Sequence, residues 1–70
     1  MPILKPRLHE LRKEHNMQQA ELAKLVGVRR ETIGNLENGR YNPSLKLAMD
    51  IAKVFDTTVE DIFTFEEDDE

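Results

Sequence analysis

The sequence predicts an all-α domain of five short helices, with its two ends able to pair as a small two-stranded antiparallel sheet. Three observations predict it. Apolar residues recur at helical spacing in several short runs, each bounded by a capping or stop residue. Two of these runs, between Gln18 and Glu37, meet at Gly27, where a helix C-terminus needs a positive φ. The longest run, Leu45 to Phe55, leaves only Lys46, Asp50 and Lys53 as a narrow polar strip.

The chain opens on a short, partly apolar stretch with Ile3 and Leu4 adjacent. Pro6 suits the first turn of a helix, so a first helix is expected to reach about His15, with Leu4, Leu8 and Leu11 on one face. Asn16 is its stop. Met17 and Leu22 have hydrophobic-staple spacing about a Gln18 cap, and Glu21 stands at the capping-box position of a second helix. Val28 and Ile33 repeat the staple spacing and open a third helix at Arg29, which the Asn38-Gly39 pair closes. Ser44 is a good N-cap for a fourth helix ending at Phe55. Its apolar positions cover about 220° of a helical wheel, whereas a one-sided surface helix needs about 100°. It is therefore expected to be central and packed on more than one side. Asp56 tolerates the left-handed turn that follows, and Thr58 with Asp61 makes a variant capping box for a fifth helix ending near Phe63. Phe63, Thr64 and Phe65 alternate as a short strand would, with Ile3-Leu4 as the comparable segment. Glu66 to Glu70 is all acidic and expected to be disordered. The domain is thus read as residues 1–65 and the tail as residues 66–70.

With 70 residues the chain is expected to be one domain, burying only about 60% of its unfolded surface. Cysteine is absent, so no disulfide or thiolate metal site can staple it. Helix packing or oligomerisation must then supply the stability. The net charge of −4 divides unevenly: residues 1–47 carry nine Lys/Arg against five acids, and residues 48–70 carry Lys53 alone against nine. That asymmetry, not the total, bears on partners. It assigns a polyanion to the first part of the chain and points the acidic part away from it.

On the third helix Ile33 and Leu36 are expected to point inward, leaving Arg29, Arg30, Glu31, Gly34 and Asn35 outward. For an arbitrary helix these would be a solvated face. On a short helix after a tight turn they suit the edges of bases in a DNA major groove: Arg matches guanine and Asn matches adenine, each bidentately. Glu31 either accepts from cytosine N4 or orients a neighbouring Arg. Gly34 either leaves room for close approach to bases and sugar or is a tolerated weak helix residue.

The run AELAKLVGVRRETIGNLENGRYNPS resembles the helix-turn-helix of the Cro/repressor-type transcriptional regulators. The resemblance rests on Gln19, Glu21-Leu22-Ala23, Leu25, Gly27-Val28, Thr32-Ile33, Glu37-Asn38-Gly39 and Pro43, and extends from about Leu8 to Phe63. The chain as a whole is similar to the very small, single-domain regulators of the cytolysin-repressor type. It departs at two helix starts, Gln18 and Arg29, where the family usually has Ser or Thr caps worth roughly 1 kcal/mol each. Gly34 costs up to about 1 kcal/mol more. The resemblance implies a Cro/repressor-like, sequence-specific double-stranded DNA-binding transcriptional regulator, a repressor acting as a homodimer on a two-fold operator. Its recognition helix would be residues 29–38. The resemblance also implies backbone contacts from Gln18 and Gln19 at the start of the second helix, and from Arg40, Tyr41 and Asn42 after the third. Glu37 is expected to be an internal tie to Arg12. The dimer interface is expected at Val59, Ile62, Phe63 and Phe65, where apolar surface exceeds what one small core needs.

No pattern of an enzyme is present: there is no nucleophile triad order, phosphate loop or paired buried carboxylate. His9 and His15 are six apart and share no i, i+4 face, so no metal site is expected; no cofactor or small-molecule ligand is implied. No signal peptide or membrane span is visible, and the expected location is cytoplasmic. The alternative function is an antitoxin-like or protein-interaction helical module that uses the acidic C-terminus.

Overall fold

A computed structural model describes residues 2–67. In chain order these form β1 (Pro2–Pro6), α1 (Leu8–Glu14), α2 (Gln19–Val26), α3 (Arg30–Glu37), α4 (Leu45–Val54), α5 (Val59–Ile62) and β2 (Phe63–Glu67). The strands pair antiparallel, with Leu4 opposite Phe65 and Pro6 opposite Phe63. Five helices and a two-stranded terminal sheet are what the sequence predicts.

The helix starts follow the staple and capping spacings. Gln18 is the N-cap of α2, and its N–H donates to Glu21 Oε1 at 3.3 Å. Arg29 is the N-cap of α3 and makes no side-chain cap. Ser44 Oγ accepts from Leu47 N (3.1 Å) and Thr58 Oγ1 from Asp61 N (3.2 Å), opening α4 and α5.

The first four helices end in one way. Asn16, Gly27, Gly39 and Asp56 have φ of 52°, 75°, 71° and 54°. After each of them the next N–H reaches back five residues: Met17 to Arg12 O, Val28 to Ala23 O, Arg40 to Asn35 O and Thr57 to Ala52 O, all within 3.0 Å. These are Schellman closures, which satisfy carbonyls that the helix end leaves bare. At Gly39 a Cβ would lie 3.1 Å from Leu4 O, so β1 itself presses against this turn.

The core is built from every element: Leu4, Leu8, Leu22, Ile33, Leu36, Ile51, Phe55, Ile62 and Phe63 are buried, with Ala23, Ala48 and Ala52 where helices approach closely. Three expectations change. Leu4 to Pro6 belong to β1 rather than to the first helix, because pairing with β2 and the Arg7 N to Ile62 O bond (2.7 Å) hold the chain extended there. α4 does not bury all its apolar positions: Leu45 is 74% and Met49 47% exposed, one turn apart. The strand also runs past Phe65 through Glu66 and Glu67, opposite Ile3 and Pro2. Asp68, Asp69 and Glu70 of the expected tail lie outside the described residues.

Candidate nucleic-acid interface

α2 and α3 are joined by Gly27, Val28 and Arg29, and Leu22, Ala23, Ile33 and Leu36 bury their shared side. That leaves Arg30, Glu31 and Asn35 of α3 exposed, together with its N-cap Arg29. Gln18 is exposed before α2, and Arg40, Tyr41 and Asn42 are exposed after α3. The outward residues therefore lie on one short helix and on the segments that flank the pair.

Behind this surface sits an ionic hub. The side chains of Arg12 and Glu37 are 9% and 5% exposed. Arg12 Nε donates to Glu37 Oε2 at 2.6 Å and Nη2 to Oε1 at 3.3 Å, while Nη1 donates to Met17 O at 2.7 Å. The pair ties α1 to the end of α3, and the third bond fixes the α1–α2 turn. Burial alone would raise the Glu37 carboxyl, but hydrogen bonds from Arg12, Gln19 and His9 and the charge of Arg12 hold it below its ordinary value. His9 Nδ1 lies 3.1 Å from Arg12 Nη2 and 3.3 Å from Glu37 Oε1. That nitrogen can accept from the first or donate to the second, not both.

Gln19 was expected to face backbone phosphates. It is half-buried; one N–H of Nε2 donates to Glu37 Oε1 (3.0 Å) and Oε1 accepts from Arg30 Nη1 (3.0 Å), which leaves the second amide N–H for a phosphate. The reading of Gly34 changes. It does not stand outward with Arg30 and Asn35; a Cβ there would meet Gln19 Nε2 at 3.8 Å, so the glycine faces α2. The link from Gln19 to Arg30 and Glu37 went unnoticed in the sequence. Its signal is the i, i+4, i+7 stripe of Arg30, Gly34 and Glu37, a single helix face with a gap in the middle.

The interface residues expected for a dimer divide. Ile62 is fully buried, so the chain's own core uses it and it is not a contact residue, while Phe63, 9% exposed, belongs to the core and also lines the groove described next. Val59 is half-buried and Phe65 60% exposed; with Phe63 both line a mostly apolar groove, completed by Leu4, Pro43, Leu45 and Ala48 and edged by the polar Asn42. Among the described residues no group of three or more His, Asp or Glu could hold a metal ion, and no helix is long and apolar enough to cross a membrane.

Two helices joined by a tight turn, the second exposing its polar N-terminal face, define a helix-turn-helix protein. The chain belongs to that family: the Helix-turn-helix family model matches residues 8–62. It is 59% identical over 66 residues to an uncharacterized HTH-type transcriptional regulator of Archaeoglobus fulgidus, covering 94% of this chain and 93% of that one. A Methanocaldococcus jannaschii protein of the same description is 50% identical over 66 residues, covering 94% of this chain and 100% of that one. Among solved structures, the restriction-modification controller protein C.AhdI from Aeromonas hydrophila superposes with a TM-score of 0.71 at 35% identity. It covers 77% of this chain and 82% of its own.

Proposed function

We propose that the chain is a sequence-specific, double-stranded DNA-binding transcriptional regulator that acts as a homodimer and represses by occupying its operator. The observation that carries this reading is the exposed set Arg29, Arg30, Glu31 and Asn35 on the second helix of a helix-turn-helix. Arg30 lies in the first turn of α3, the part of such a helix that enters the major groove. Arg30 there matches a guanine edge and Glu31 cytosine N4, and Asn35, in the next turn, matches an adenine edge. Gln18, Arg40, Tyr41 and Asn42 take the phosphates on either side, which sets position without reading sequence. The relatives described as HTH-type transcriptional regulators support the same reading.

The partner copy is assigned to the groove of Leu4, Pro43, Leu45, Ala48, Val59 and Phe65. Exposed apolar side chains border it, and a two-fold axis would set two recognition helices about 34 Å apart on one DNA face. Selection from randomised duplex DNA is the direct test, and a motif repeated about a two-fold axis is expected. Failure to enrich any sequence contradicts the reading. On the selected site, Arg30→Ala should cost about 1–3 kcal/mol and relax one base position, while Arg40→Ala should weaken all sequences alike and lower the salt slope by about one.

A further inference from the structure

His9 stands on the outer side of the ionic hub. Its side chain is 61% exposed, against 5% for Glu37. Its Nδ1 lies 3.3 Å from Glu37 Oε1, the oxygen that also accepts from Gln19 Nε2 at 3.0 Å. Side chains from α1 and α2 thus meet on one carboxylate oxygen at the end of α3. Gln19 keeps a second amide N–H for a phosphate, and a phosphate seated there would lie beside the His9 ring. Among the described residues nothing bonds to His9 Nε2, which leaves that nitrogen open on the same surface. The other histidine is placed differently. His15 Nδ1 donates to Leu11 O at 2.9 Å, and its ring packs edge-on against Phe55 with centroids 5.0 Å apart.

We propose that His9 is a proton-dependent phosphate contact: the protonated ring donates from Nδ1 to Glu37 Oε1 and from Nε2 to the phosphate that Gln19 also reaches. The proposal rests on the DNA-binding reading above. A neutral ring has one N–H. With that proton on Nε2, the ring meets a phosphate only as an uncharged donor, while Nδ1 accepts from Arg12 Nη2 at 3.1 Å. Once protonated, both nitrogens donate, and the phosphate bond becomes charge-assisted and roughly twice as strong. The charged groups facing the ring are Arg12 of its own helix, which opposes protonation, and Glu37 of α3, which favours it. Lys13 stands one turn along α1, Glu10 is paired with Arg7, and Gln19 of α2 is neutral. A DNA phosphate adds a second anion. Histidine ordinarily titrates between about pH 5 and 8, whereas Glu37, held below its usual value, stays ionised there. DNA favours the charged ring, so by reciprocity the proton favours DNA. Binding tightens as pH falls, and the gain is lost as pH rises.

The test measures affinity of the full chain for the selected operator from about pH 5.5 to 8, at several salt concentrations. Melting curves at each pH establish that every variant is folded. Wild-type affinity should rise about 3- to 10-fold between the two ends, the fold-change of one net hydrogen bond. The salt slope should be steeper by about one per protomer at the acid end, because a charged contact releases a counterion. His9→Gln should bind at every pH as the wild type does at the alkaline end. His9→Lys, charged throughout, should bind at every pH as the wild type does at the acid end. His15→Gln should keep the wild-type profile. A pH dependence that survives in His9→Gln overturns the proposal. So does one that arrives without a change in salt slope, since the proton would then act on the hub and not on a phosphate. If the wild type binds no duplex DNA at any pH, the DNA-binding reading has failed and this contact falls with it, an outcome distinct from binding that is simply flat with pH.

Discussion

Glu37 shows how one residue can be structural and still stand close to function. Its carboxylate meets Arg12, Gln19 and His9 and is 5% exposed. Because its folded pKa is depressed, its contribution to stability is fully present above the unfolded carboxylate value, about 4.3 for Glu. That contribution is lost as pH falls through the depressed folded value. The expected measurement is a denaturation free energy that declines below about pH 4 in the wild type and declines less steeply in Glu37→Gln. The variant should also be less stable at neutral pH by about 3–5 kcal/mol, since Arg12 would stay buried without its partner charge. Equal pH slopes in the two proteins would show that the carboxylate is not perturbed.

Each helix is delimited by chemistry within a few residues of its ends, and α3, like α1 at Arg7, starts without a side-chain cap. Arg29 occupies an N-cap backbone conformation, φ −82° and ψ 155°, with no side-chain oxygen to accept from the first turn. Ser44, at ψ 160°, supplies that bond to Leu47 N. Arg29→Ser should therefore stabilise the domain by roughly 1 kcal/mol and weaken its binding to the selected DNA. A rise in melting temperature with reduced affinity would mean that Arg29 trades helix stability for a contact. A fall in melting temperature would mean that the side chain packs more than its exposure suggests.

For the whole molecule, the apolar side chains left outside matter more than those inside. Leu45, Met49 and Phe65 remain 74%, 47% and 60% exposed, and Leu25 on α2 is 60% exposed as well. Leu45 and Phe65 border one groove. Leu45→Asp removes little that the single chain uses but places a charge at the proposed two-fold contact. Sedimentation should change from dimer to monomer at tens of micromolar (about that range; lower concentrations dissociate even a competent dimer). The melting temperature of the wild type should rise with protein concentration, and that of the variant should not. A variant that remains dimeric would place the contact elsewhere.

Helix boundaries were legible because they are local. Staple pairs such as Met17–Leu22 and Val28–Ile33, the caps Ser44 and Thr58, and the turn residues Asn16, Gly27, Gly39 and Asp56 act through sterics and hydrogen bonds spanning at most five residues. The outward set on α3 was legible for the same reason, since Ile33 and Leu36 orient the helix once it forms. The Arg12–Glu37 tie could be expected only through resemblance, since nothing local links residues that far apart. Other features depend on distant partners. Leu4 becomes a strand residue because Phe65 lies opposite it. Ile62 and Phe63 are interior because the core closes over them, while Leu45 and Met49, with the same apolar character, are left outside. Gly34 faces Gln19 rather than solvent because α2 crosses α3 at that point. A linear pattern records how apolar each residue is; which apolar surface is covered, and by what, is settled only when the elements pack.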